Sequence, residues 1–186
     1  LMYWQVYLHK TSLAAEQLLI RVLKRAKELI GEGHQLHASG SLLYFLQNKV
    51  ERHNFDQHTL EMFSRLDDND VISAMKEWMY SDDFVLSNLC EMIINRKLLK
   101  SKIKKKRPSQ EKLDQRKKAL QKKYNISEKE ASYFVFEGEI ANLAYKREKD
   151  TINILHKNGK ICDVVKVSDQ FNLKALTNTV TKYYMC

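Results

Sequence analysis

The strongest constraint on this chain is an apolar stripe at helical spacing over residues 13–30. Leu13, Ala15, Leu18, Leu19, Val22, Leu23, Ala26, Leu29 and Ile30 recur at intervals that line one face of a helix, with Arg21, Lys24 and Glu28 opposite. The sequence Gly31-Glu32-Gly33 stops it. Such a face is stable only against other apolar surface. Helical spacing resumes with Leu43, Leu46 and Val50 on one stripe. Asp56 is placed to cap a short helix ending near Leu66, and Asp67 or Asp68 to cap the next, with Val71, Ile72, Met75, Trp78 and Met79 inward. Ser81 or Asp82 then opens a third, with Val85, Leu86, Leu89, Ile93 and Ile94 inward. One proline and five glycines among 186 residues fit long helices with few tight turns.

Beyond the break at Pro108-Ser109, Leu113, Ala119, Leu120 and Tyr124 mark a further helix. Ser127 and Glu130 have capping-box spacing and open one short helical turn. The period then shifts to that of strands. SYFVFEGEIANLAY is aromatic and β-branched, and TINILHKNGKICDVVKV reads as two strands about a turn at Lys157-Asn158-Gly159-Lys160. SDQFNLKALTNTVTKYYMC reads as a closing helix. The expected fold is mainly α with a smaller C-terminal α+β region. A helical region spans 1–107, and an α+β region of hairpin, short sheet and final helix spans 108–186.

The net charge of +9 is concentrated in one place. Residues 1–95 carry a net −4, residues 96–123 a net +12 and residues 124–186 a net +1. The basic run at 102–107 is expected to be a solvated connection or a weak, non-specific binder of nucleic-acid backbone, because its lysines are not interleaved with aromatics. Arg96 and Lys100, i and i+4 at the end of the preceding helix, would share a face and grip a phosphate chain. A non-enzymatic nucleic-acid-binding or oligomerisation module using 96–123 is the alternative reading.

Several functions are excluded or left without support. No apolar run reaches the ~20 residues of a membrane span, and the N-terminal stretch lacks the form of a signal peptide. Cys90, Cys162 and Cys186 are few and scattered, which points to a reducing cytoplasm rather than a disulfide framework. His34 and His37, and His53 and His58, lack further ligands at supporting spacing and read as loop histidines. Asp67-Asp68 and Asp82-Asp83 precede helical runs, where aspartate caps free N–H groups. Neither a phosphate loop nor a nucleophile elbow occurs. The chain therefore holds no complete catalytic apparatus.

The segments QVYLHKTSLAAEQLL, LDDNDVISAMKEWMYSDDFVLSNLCEMIINRKLLK, YFVFEGE and INILHKNGKICDVVKVSDQ, in this order, resemble the C-terminal part of HD-domain phosphohydrolases. The nearest branch contains bacterial dGTPase-like proteins and the mammalian SAM- and HD-domain dNTP triphosphohydrolase. The resemblance implies a divalent metal held by a His…His-Asp…Asp set that activates water and releases triphosphate from a deoxynucleotide. This sequence has no His-Asp dipeptide. In the family that site precedes the Tyr-x-His-Lys segment, so the chain is expected to lack the N-terminal HD half, to bind no cofactor of its own and to be inert alone. By the same resemblance Tyr7 lines the substrate pocket. Leu8 departs from the hydrogen-bonding glutamine of the mammalian enzyme. His9, Lys10, Arg96, Lys100 and Lys157 match a regulatory nucleotide-triphosphate site between subunits. A homo-oligomer is expected, with Trp4, Val6, Leu8 and the 13–30 stripe exposed for partners.

Overall fold

The computed structural model describes residues 3–141, 152–167 and 180–186. After a π-helical turn at Tyr3–Tyr7 come α1 (Lys10–Gly31), α2 (Gly40–Gln47), α3 (Gln57–Arg65), α4 (Asp68–Trp78) and α5 (Phe84–Ile94); α2 and α5 pack on α1, α3 on α2, and α4 on α5. The stripe on α1 is consumed within the chain itself. Leu13, Leu18, Val22, Ala26 and Leu29 are buried, with Ala14 in the place expected for Ala15. Val85, Leu86, Leu89 and Cys90 of α5 meet that stripe fully buried. Each such aliphatic side chain contributes about 1.5–3 kcal/mol.

The helix starts follow from local hydrogen bonding. Thr59 N–H donates to Asp56 Oδ1 at 2.8 Å, and Asn69 and Asp70 N–H donate to Asp67 Oδ1. The cap of α5 is Asp83 rather than Ser81 or Asp82: it accepts from Leu86 N–H at 2.7 Å, while Ser81 Oγ accepts from Asp83 N–H. On α4 the buried face is Ala74, Met75 and Trp78; Ile72 points outward. Val50 falls beyond the end of α2, where Leu42 and Leu46 are the buried pair.

The basic segment is not a mere connection. Lys102–Lys104 form β1, followed by α6 (Gln110–Tyr124) and α7 (Glu128–Phe134). The Ser127–Glu130 capping box nucleates α7 and carries helix through Tyr133 and Phe134, which had read as strand and instead join the helical core. Strand begins only at β2 (Glu137–Ala141). β3 (Asn153–Leu155) and β4 (Ile161–Asp163) form the expected hairpin, with Gly159 at φ 81° in the turn. Val164–Val167 is a helical turn, α8, where strand had been expected to continue. Of the expected closing helix, 168–179 lies outside the described residues, and Thr181–Met185 is β5.

β5 lies between β1 and β2 in an antiparallel sheet, pairing Lys104 with Tyr183, Ile103 with Tyr184 and Gly138 with Tyr184. One face buries Tyr184 with Leu13, Phe136 and Ile140, and Leu8 and Ile103 pack at its margin. The other sets Met185 against Leu113 of α6 and Val135. The Arg21 guanidinium lies 3.1 Å from the centroid of the Phe136 ring, joining α1 to the strand region. The fold is thus a helical lobe with small antiparallel sheets, the first of which sits on the start of α1.

Candidate functional site

The first turn of α1 and the chain leaving α5 enclose two adjoining cavities. Lys10, Thr11, Arg96, Leu99, Lys100 and Ser101 line one of about 470 Å³. Leu8, His9, Lys10, Lys102, Lys104 and Lys182 line the other, of about 580 Å³. Lys10, Ser101 and Lys102 belong to both. Neither cavity has a carboxylate in its walls, and among the described residues no ion pair engages Lys10, Arg96 or Lys100. Lys10, Arg96 and Lys100, converging in walls that hold no carboxylate, make a site for a polyanion.

Local structure explains each position. His9 is the N-cap of α1, its Nδ1 accepting from Thr11 N–H at 3.3 Å. Lys10 is the first helical residue, where the helix dipole adds positive potential.

Arg96 and Lys100 meet by a route other than the expected helical face. The α5 helix ends at Ile94, and Arg96 has φ 55°, in the left-handed region. Arg96 N–H donates to Ile93 O at 3.1 Å and Lys97 N–H to Met92 O at 2.9 Å. These two bonds form a Schellman motif with arginine at the position that glycine normally fills. The reversal it produces carries Lys100 back to the wall that Lys10 shares. A left-handed non-glycine residue costs about 1–2 kcal/mol.

The remaining candidates lie elsewhere. Tyr7 ends the π-helical turn and is 62% exposed. Lys157 is exposed at the tip of the β3–β4 hairpin and belongs to the walls of neither cavity. Val6 is exposed, but Leu8 and the α1 stripe are covered by this chain's own residues, correcting the expectation that they face a partner. The side chain of Trp4 lies outside the described residues. Lys102, Lys104 and Lys182 were missed as wall residues; the only local signal was the alternation Lys102-Ile103-Lys104, too short to read as strand.

A third cavity, of about 520 Å³, is lined by Arg25, Glu32, His34, His37, Glu77 and Asp82 among others. Asp83, also in its wall, is committed to structure by its two hydrogen bonds from Arg25. Among the described residues no group of three or more His, Cys, Asp or Glu side chains is placed to hold a metal. None of their helices is long and apolar enough to cross a membrane.

No family model matches the chain. Over 98 residues, 52% of its length, it is 36% identical to the uncharacterized protein YwfO of Bacillus subtilis (strain 168), of which that stretch covers 21%. Its whole length matches the crystal structure of a phosphohydrolase (BT4208) from Bacteroides thetaiotaomicron, with a TM-score of 0.84 and 39% identity, covering 46% of that chain. The chain is therefore similar, from one end to the other, to a little under half of a phosphohydrolase.

Proposed function

We propose that this chain forms part of an HD-type, metal-dependent dNTP triphosphohydrolase, in which it supplies a nucleotide-triphosphate regulatory site rather than the reacting centre. The observation that carries this reading is the whole-length match to a phosphohydrolase at 39% identity. The metal, when bound in the complete enzyme, would activate water against the triphosphate. Its ligands would come from outside the described residues, which offer no suitable cluster.

The work of this chain's own residues is binding. Lys10, Arg96 and Lys100 share one wall and neutralise a triphosphate, with Arg96 able to bind two of its oxygens at once. His9, in the adjoining cavity, offers a flat ring for a base. Lys157 would reach the same ligand from a neighbouring subunit of a homo-oligomer. Tyr7 would form a wall of the substrate pocket.

Calorimetric titration of the purified chain with each dNTP tests the proposal. Binding should prefer one base, and Arg96→Ala with Lys100→Ala should weaken it at least tenfold. The chain alone should release no triphosphate. Unchanged binding in the double variant, or metal-dependent hydrolysis by the chain alone, would sink this reading.

A further inference from the structure

The two sides of the His9–Lys10 cavity are not held equally. One side is the first turn of α1, which continues into the buried stripe of Leu13, Leu18 and Val22. The other is β1, an edge strand of three residues whose ladder partner is β5. Ile103 packs against the core, while Lys102 and Lys104 are exposed. A short edge strand with so little buried surface opens easily.

Charge works against its position. Lys102, Lys104 and Lys105 share the cavity walls with Lys10, and no carboxylate stands among them. Lys10 also sits at the positive end of α1. Until an anion arrives, these groups repel one another and push β1 away from the start of α1.

A restraint lies just outside the cavity. Arg107, three residues past β1, reaches Glu137, the first residue of β2. Its Nε donates to both carboxylate oxygens at 2.9 Å, and a terminal nitrogen donates to Oε1 as well. Strand register shows what this fork spans. Lys102 and Glu137 both pair with Met185, from opposite sides of β5. Arg107 therefore ties the edge strand to β2 across β5, where no backbone ladder joins the two. Most exposed ion pairs contribute little, but a two-pronged Arg–carboxylate fork is the favourable case.

We propose that Arg107 and Glu137 are positioning residues, whose fork holds β1 beside α1 and so presets the phosphate-binding cavity before its ligand arrives. The inference rests on the reading of that cavity as part of a nucleotide-triphosphate site. Neither residue lines the His9–Lys10 cavity or the adjoining Arg96–Lys100 cavity, so each acts through β1. A site assembled in advance binds more tightly, because only the assembled fraction of molecules is competent.

Positioning and simple charge predict opposite signs. Glu137→Gln removes a negative charge beside a cationic cavity, so long-range electrostatics alone would tighten the binding of an anion. Loss of the fork should instead weaken it about three- to fivefold, the scale of one good surface ion pair. The readout is calorimetric titration with inorganic triphosphate, which needs no base. Arg107→Lys keeps the charge but not the fork and should lose part of the affinity. Arg107→Glu with Glu137→Arg should restore the parental value. Hydrogen exchange should be faster at the β1 amides of Glu137→Gln by a similar factor, with α1 and α5 unchanged. The proposal is overturned if Glu137→Gln binds triphosphate as tightly as the parent or more so, if β1 exchange is unaltered, or if the swapped pair fails to rescue. A parent protein that binds neither inorganic triphosphate nor any dNTP overturns the regulatory-site reading, and the positioning role with it. A parent that binds, with variants that bind equally, overturns the positioning role alone.

Discussion

Arg25 of α1 and Asp83 at the start of α5 are joined by two hydrogen bonds, Nε to Oδ1 at 3.1 Å and a terminal nitrogen to Oδ2 at 2.6 Å. The same carboxylate caps α5 through Leu86 N–H. Both partners are largely buried, so this pair fixes the angle between two core helices as well as a helix end. Asp83→Ala leaves a buried guanidinium with Glu28 as its remaining ion-pair partner and removes the cap. It should destabilise the fold by about 3 kcal/mol, measured by urea unfolding.

The same group predicts an acid limit. Burial raises the Asp83 pKa, but hydrogen bonds from Arg25 and Leu86 N–H outweigh it and hold the carboxyl below its ordinary value. A depressed folded pKa stabilises the protein fully above the unfolded value of about 3.9 and loses that contribution as pH falls through the folded value. Thermal melts should therefore show stability falling below about pH 4, and the fall should be shallower in Asp83→Asn. An identical acid limb in that variant would exclude Asp83 as its source.

Arg96 sets stability against binding. Arg96→Gly relieves the left-handed backbone at φ 55° and should raise stability by about 1 kcal/mol. The proposed site loses its bidentate cation in the same change, so dNTP affinity should fall at least tenfold. Paired denaturation and titration curves check both signs. A variant that is both less stable and equally tight in binding would contradict the assignment.

Gly138 is required by the ring opposite it. A Cβ there would overlap the Tyr184 phenol, whose ring is braced edge-on by Phe136 at 6.4 Å. Gly138→Ala should cost about 2 kcal/mol. In a Tyr184→Leu background the added cost should largely vanish, because the overlap is pairwise. Simple additivity in the double-mutant cycle would show that the glycine serves some other purpose.

The cysteines should differ sharply in reactivity. Burial pushes the Cys90 thiol up to about 12 and raises that of Cys186. Cys162 on β4 is half exposed. At pH 8 an aromatic disulfide reagent should titrate one thiol in the folded protein and all three in denaturant. Mass spectrometry of the labelled peptides identifies which.

Local features were legible in the sequence; features assembled across the chain were not. Asp56, Asp67 and the Ser127–Glu130 pair were readable because a cap is a bond between near neighbours. The β3–β4 turn announced itself through Asn158-Gly159 for the same reason. Lys102–Lys104 and Thr181–Met185 were unreadable as strands, since each is short and finds its partner far away in sequence. Lys10 was singled out by family resemblance, and Arg96 and Lys100 also by an i, i+4 spacing on a helix that in fact ends at Ile94. Their shared wall depends on a backbone reversal at Arg96 that no residue type at that position advertises.

The order β1-β5-β2 has a consequence for how the molecule assembles. β1 and β2 do not pair with each other; both wait for a strand that enters the chain some forty residues after β2. The helical lobe can condense from contacts among neighbours, whereas the sheet must close a long loop in a single step. Hydrogen exchange should then find two tiers, with amides of α1 and α5 protected early in refolding and those of β1 and β2 together and late. Lys104 and Tyr183, which face each other across β1 and β5, would meet only at that last closure.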